Sequence, residues 1–213
     1  MRLEKPTSRQ RSLSLAPMVD GRQHAAPCAF RNAAAQFPTG VTLVTAGVGD
    51  ATRGMTANSF TSISLDPLLL LVSIRRNSQM NRLVAGSGGF GVSVLALQQI
   101  DIARRFATPG RPAGRRQFAD VDWWPAPTSG SPLITGALAW FDCVVDRSLR
   151  TGDHTVFLGR VTEFDYIADG TPLVFFDGAY RGIDFTYAES SRCLRPTNSQ
   201  VSLTPLISSA HAQ

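Results

Sequence analysis

A chain of 213 residues, 43% hydrophobic and 17% charged, has the composition of an ordinary globular protein and suits one domain that buries roughly 70% of its unfolded surface. The net charge is +5, but Lys5 is the only lysine and the arginines are scattered, which argues against a nucleic-acid-binding stripe and leaves a mild preference for anions. Cys28, Cys143 and Cys193 are odd in number and lack a C-x-x-C pair, so neither a disulfide framework nor a zinc site is expected, and a reducing, cytoplasmic setting is.

Residues 1–27 are polar and rich in Arg and Ser, with no apolar core of a signal peptide. They read as a disordered extension, although the same composition admits a transit peptide. Residues 189–213 read as a similar tail. His24 and His211 lie in these two segments, which leaves His154 as the only histidine of the expected folded body, 28–188.

Residues 29–36 predict a short Ala-rich helix stopped by Pro38 and Gly40. Residues 41–45 alternate as a strand, Gly47-Val48-Gly49-Asp50 turns, and 53–56 returns. Residues 59–65 and 68–74 follow as strands around Asp66-Pro67; the second is apolar throughout, reads as fully buried, and is far too short to span a bilayer. Asn77 or Ser78 caps a helix with Met80, Leu83 and Val84 on one face, ending at Gly86. Residues 90–95 form a strand and 97–106 a second amphipathic helix. Residues 108–117 make an Arg-, Pro- and Gly-rich loop, and Trp123-Trp124-Pro125 continues as irregular chain. Strands over 138–145 and 154–164 flank the turn Thr151-Gly152-Asp153. A last strand over 172–176 precedes Asp177-Gly178-Ala179-Tyr180. Many short strands with two or three helices predict a small antiparallel barrel with helical insertions.

Two apparent motifs fail their structural context. Gly86-Ser87-Gly88-Gly89-Phe90-Gly91 fits G-x-G-x-x-G by letters, but a helix precedes it and a strand follows, the reverse of a dinucleotide fold. Gly91-Val92-Ser93-Val94-Leu95 lacks the last Gly of a nucleophile elbow and lies inside a strand. Three stretches carry more chemistry. Met55-Thr56-Ala57-Asn58-Ser59 is either a polar edge strand or a set of donors for a flat polar ligand with a phosphate tail. Gly152-Asp153-His154 is either a hairpin turn or an imidazole oriented by a carboxylate. Arg104, Arg105, Arg111, Arg115 and Arg116 form a solvated loop face by default or contact a nucleotide. Trp123 and Trp124 read as packing residues.

The set Phe30-Arg31-Asn32-Ala33, Phe37-Pro38-Thr39-Gly40-Val41-Thr42, Gly54-Met55-Thr56-Ala57-Asn58-Ser59-Phe60, Ser62-Ile63-Ser64-Leu65-Asp66-Pro67, Phe90-Gly91-Val92-Ser93-Val94-Leu95, Gly152-Asp153-His154 and Pro172-Leu173-Val174-Phe175-Phe176 resembles, in order and over about 29–183, the flavin reductase family. These are the short-chain reductase components of two-component monooxygenases. The resemblance implies a mainly β fold, an FMN-binding split β-barrel with a few short helices. It implies a homodimer with flavin, FMN or FAD, near the subunit interface. It further implies hydride transfer from NADH or NADPH to flavin, and delivery of reduced flavin to a partner monooxygenase. Neither nucleic acid nor membrane is an expected partner. Carried over by position, Thr42, Met55, Thr56, Ala57, Asn58 and Ser59 line the ring and ribityl chain. Ser73, Ile74, Arg75, Arg76, Asn77, Ser78 and Met80 hold the phosphate end, and Phe106 counts among the flavin-binding residues. His154, with Tyr180 and Arg181, contacts the nicotinamide nucleotide, and His154 is the candidate catalytic residue. Two other classes stay open: a flavin-binding module for storage or electron transfer without NAD(P)H turnover, and a flavin-dependent oxidoreductase acting directly on an organic substrate.

Overall fold

The computed structural model describes residues 26–167 and 169–183, which all fall in one compact unit ending at Ile183. Residues 1–25 of the expected extension 1–27, the expected tail 189–213, His24, His211 and Cys193 lie outside the described residues, while Ala26 and Pro27, the end of that extension, are the first residues of a helix.

Helix α1 (Ala26–Ala34) leads into strands β1 (Thr39–Gly40), β2 (Thr42–Ala46), β3 (Arg53–Ala57), β4 (Thr61–Leu65) and β5 (Leu68–Arg75). Helix α2 (Gln79–Ser87), β6 (Gly89–Val94) and helix α3 (Ile100–Ala107) follow. Then come β7 (Trp123–Pro125), β8 (Pro132–Ile134), the long hairpin β9 (Ala139–Thr151) and β10 (His154–Tyr166), and β11 (Val174–Phe176) with β12 (Ala179–Arg181).

One seven-stranded antiparallel sheet, ordered β3-β2-β6-β9-β10-β5-β4, carries the fold. Its two edges, β3 and β4, are consecutive in the chain, so the sheet curls until they meet at residues 58–60. There Ser59 Oγ accepts from the Ser73 N–H and donates to the Ser73 carbonyl, both at 3.0 Å. The β4–β5 register, Thr61 opposite Leu71, extrapolates to Ser59 opposite Ser73. A side chain thus takes the place of a strand backbone at this corner, and elsewhere the two edges stay apart. This is a split barrel, as expected.

The core has two parts. Val44, Val72, Phe90 and Phe157 fill the barrel. Leu43, Leu95, Phe106, Phe118 and Ile134 fill the space between the outside of the sheet and α3 with its following loop. Strand β2 lies between them and is buried on both faces. Two glycines permit close approaches. A Cβ at Gly54 would lie 2.8 Å from the Phe106 ring, so glycine lets α3 sit on β3. A Cβ at Gly159 would lie 2.5 Å from the Phe90 ring. Gly159→Ala is expected to force Phe90 off its position and to cost about 1–3 kcal/mol, read as a lower denaturation midpoint at unchanged slope.

The structure corrects four expectations. Strand β5 is not buried throughout: Leu70, Val72 and Ile74 are enclosed, but Leu69 and Leu71 on the other face are only half-buried, because no helix covers the outer face of this antiparallel strand, and Leu68, on the enclosed face, is 39% exposed at the strand's first position. Helix α2 runs through Gly86 and stops at Gly88, whose φ of 70° supplies the left-handed cap; Ser78, not Asn77, is the N-cap, accepting from the Asn81 N–H. Trp123-Trp124-Pro125 is a strand paired with β8, too short for alternation to reveal it. Asp177 and Gly178, both at positive φ, make a tight turn, so Ala179–Arg181 returns as β12.

Candidate functional site

The outer edge of β3 organises the first half of the site. In the β2–β3 ladder Gly54 and Thr56 fall at alternate, non-hydrogen-bonded positions, so their N–H and C=O groups point away from β2. The Gly54 N–H donates instead to Gln117 Oε1 at 3.0 Å, and Gly54 O accepts from Arg111 Nη2 at 3.2 Å. Gln117 Nε2 also donates to the Thr52 and Gly114 carbonyls, at 3.0 and 3.1 Å. The loop after α3 therefore sheathes β3 as far as Gly54. Beyond Gly54 the edge opens onto a cavity of about 210 Å³ lined by Val41, Thr56, Ala57, Asn58, Ala107, Phe175 and Tyr180. An outward peptide edge beside an apolar and aromatic wall fits a planar ring whose rim carries donors and acceptors. The Thr56 hydroxyl is already committed, donating to the Ala103 carbonyl at 2.6 Å, so at Thr56 the backbone faces the cavity. Burial raises the Tyr180 phenol above its ordinary value, against a weaker opposing effect of Arg104, so Tyr180 is a neutral donor at physiological pH.

The second half is the meeting of two turns. Arg75 and Arg76 end β5, and Gly152 and Asp153 join β9 to β10. The Arg76 N–H donates to the Asp153 carbonyl at 2.9 Å, and Arg76 Nη1 to the Gly152 carbonyl at 3.0 Å. Ser78 Oγ donates to the Arg75 carbonyl at 2.7 Å, and Asn81 Nδ2 to the Ile74 carbonyl at 3.3 Å. Arg75, Arg76, Asn77, Gly152 and Asp153 line an open cavity of about 540 Å³ at the N-terminus of α2. Two guanidiniums beside a helix N-terminus suit a phosphate. His154 pairs across the ladder with Arg75, and its Nδ1 lies 2.8 Å from Asp153 Oδ1. That hydrogen bond holds the Asp153 carboxyl below its ordinary value, so the carboxylate that orients the imidazole is ionised at neutral pH and loses this advantage only as acid protonates it.

The sequence-predicted residues thus divide. Thr56, Ala57, Asn58 and Tyr180 share the ring-sized cavity, with Arg181 next to Tyr180; Arg75, Arg76 and Asn77 share the second, with His154 beside it. Tyr180 lines the first cavity, whereas His154 lines neither and stands beside the second. Ser59 and Ser73 are bonded to each other at the corner between the two halves. Thr42, Ile74, Met80 and Phe106 are closed off from solvent and stand behind the wall; the Thr42 hydroxyl donates to the Ala57 carbonyl at 2.8 Å. Met55 is half-buried against the barrel core. Sequence reasoning missed Val41, Ala107 and Phe175 as lining residues, and Gln117 as the clasp on β3. Phe175 lay within a recognised segment, but nothing local told its face. Among the described residues no cluster of His, Cys, Asp and Glu could hold a metal ion, and no helix is long and apolar enough to cross a membrane.

Comparison with known proteins matches residues 34–184 to the flavin reductase like domain. An NADH-dependent FAD reductase of Streptomyces globisporus is 44% identical over 152 residues, 71% of this chain and 83% of that protein. An NADH-dependent flavin reductase of a Rhodococcus species is 40% identical over 161 residues, 74% of this chain and 87% of that protein. Among solved structures, the NADH:FAD oxidoreductase of Streptomyces globisporus in complex with NAD and FAD fragments superposes with a TM-score of 0.72 at 38% identity, covering 81% of this chain and 100% of that one. The flavin reductase component of a bacterial two-component tryptophan halogenase gives 0.70 at 42% identity, covering 73% and 97%. With the match spanning the barrel and both halves of the site, the chain belongs to the flavin reductase-like family.

Proposed function

We infer that the chain is an NAD(P)H:flavin oxidoreductase, which transfers a hydride from NADH or NADPH to FMN or FAD and supplies the reduced flavin to a partner monooxygenase. The observation that carries this is the open edge of β3 at Thr56, walled by Phe175 and Tyr180, together with the Arg75–Arg76 turn at the end of β5, the strand that Ser59 ties to the end of β3 through its bonds to Ser73. One end takes a flat heteroaromatic ring and the other a phosphate, as FMN and FAD require. NADH is the preferred donor in this proposal, because the relatives reported above are named NADH-dependent. Partnership with a monooxygenase is supported by relatives named as reductase components, such as that of a trigonelline monooxygenase of Acinetobacter baylyi.

The residues act by position. The Thr56 peptide group and the Asn58 amide bind the ring edge, while Ala57, Ala107 and Phe175 exclude water from one face. Arg75, Arg76 and Asn77 bind the flavin phosphate with Ser78 and the start of α2, and Ser59 and Ser73 fix the spacing between the ends. Tyr180, Arg181 and His154 bind the nicotinamide nucleotide, Asp153 orienting the imidazole. Hydride transfer needs the two rings about 3–3.5 Å apart, and the chemistry itself belongs to the nucleotides. No proton donor is required of the protein for that transfer.

A cytoplasmic homodimer is part of the same reading. It is supported by an exposed apolar strip, Ile63, Leu65, Leu68 and Phe164, on adjacent strands, and by free thiols at Cys28 and Cys143.

The test is NADH oxidation by purified protein with FMN, FAD or no flavin added. Added flavin is expected to be required and turned over many times. No oxidation with NADH or NADPH under any of these conditions would overturn the reading in favour of a flavin-binding module. His154→Ala is expected to raise KM for NADH about tenfold, the loss of one hydrogen bond to a bound nucleotide, with flavin affinity nearly unchanged. Unaltered NADH kinetics would remove His154 from the site.

A further inference from the structure

Helix α1 has no buried side chain over residues 27–34. Phe30 and, just beyond the helix, Phe37 are each 74% exposed. A nine-residue helix does not persist in water on its own propensity. What ties it down is beyond its C-terminus, where the Asp177 N–H donates to the Ala35 carbonyl at 2.9 Å. A second unpartnered face lies on β4, β5 and β10. Leu65 is 83% exposed and Phe164 52%, and with Phe60, Leu68, Phe141 and Val161 they line an almost wholly apolar groove of about 180 Å³. The charges are complementary. Described α1 carries Arg31 and no acid. The groove is bordered by Asp66, in the turn between Leu65 and Leu68, and by Glu163, beside Phe164; among the described residues neither is in an ion pair.

We propose that α1 of one copy seats Phe30 in this groove of a second copy, with Arg31 facing Asp66, and that the second copy does the same in return. The exchange is isologous, so one chain supplies both the knob and the hole and the assembly closes at two. It rests on the homodimer reading above and deepens it by naming the element that docks. It also couples assembly to the site. From α1 the chain passes through Phe37 into β1, which pairs with β11, and Phe175 of β11 lines the ring-sized cavity. Docking of α1 therefore braces one wall of that cavity from outside the protomer.

The natural Cys28 on α1 is exposed and reports the contact directly. The experiment uses the full chain with Cys193→Ser, to leave one reactive thiol, and adds Ser64→Cys at the groove. Cys143 does not compete, because burial raises its thiol far above the ordinary range. Mild oxidation is expected to give a covalent dimer on a non-reducing gel, lost when Cys28→Ser is added. Sedimentation is expected to show a dimer for the unmodified chain and a monomer for both Phe30→Ser and Leu65→Asp, two exposed positions whose substitution leaves the core intact. A dimer that persists in both variants with no covalent dimer would place the interface elsewhere and overturn the inference while leaving the homodimer standing. A monomeric unmodified chain at micromolar concentration would overturn both. Flavin reduction is not the readout, so neither result bears on the reductase reading.

Discussion

Gln117→Leu is expected to destabilise the protein by about 4 kcal/mol, the largest effect foreseen for a single substitution away from the nucleotides. The side chain is fully enclosed and makes three bonds to backbone groups: it accepts from the Gly54 N–H and donates to the Thr52 and Gly114 carbonyls. Leucine fills nearly the same space but strands all three partners, and each buried unpaired group costs about 1–3 kcal/mol. For a chain of this size that loss lowers the melting temperature by roughly 10 °C. Function follows structure here, because the clasp holds β3 one residue pair before Thr56. The variant that still folds is expected to show a raised flavin KM. Denaturant unfolding checks the claim: a loss under about 1 kcal/mol would mean that the loop does not hold the edge.

Arg75→Ala with Arg76→Ala is expected to raise KM for FMN and FAD about a hundredfold. Each charge-assisted bond to a phosphate is worth about 1.5–3 kcal/mol, and two lost bonds give about 3 kcal/mol or more, a factor of a hundred or greater. The cavity holds a carboxylate too, Asp153, but its charge is engaged by His154 at 2.8 Å. The control is riboflavin, which has the ring and no phosphate. Its kinetics are expected to change little, since the Thr56 end of the site is untouched. Equal loss with riboflavin and FMN would show instead that the substitutions collapse the turn, for Arg76 also bonds the Gly152 carbonyl. Raised salt is expected to weaken FMN use by the unmodified protein and to affect the double variant much less.

Much of the local structure could be read directly from the residues. Alternation marked β10, and the Gly152-Asp153 turn between β9 and β10 followed from turn chemistry. Ser78 was one of the two caps foreseen for α2. These signals are local, because a period reports which face is buried and a turn residue reports which φ is allowed. The ordered motif set also carried the family and the split barrel. The errors came where distant chain decides. Leu68 shares the enclosed face of β5 with Leu70 and Val72, but its exposure depends on whether other chain closes that end of the barrel. Gln117 looked like one more polar loop residue until the loop lay along β3.

The same division runs through the site. Sequence alone assembled a polar stretch from Met55 to Ser59, an arginine pair after β5 and an imidazole after a Gly-Asp turn, and these residue types already indicated a ring, a phosphate and a nucleotide. Tertiary structure decided which of their atoms face a ligand. It turned the Thr42 hydroxyl inward to the Ala57 carbonyl and the Thr56 hydroxyl to the Ala103 carbonyl, leaving the Thr56 peptide edge as the exposed group. It brought Phe175 to face that edge from the far end of the chain. The physical reason is that side-chain chemistry is written residue by residue, whereas the direction of a backbone N–H depends on which strand lies beside it, and β3, paired with β2 alone, keeps its outer edge free only because no other strand of the folded sheet comes to lie against it.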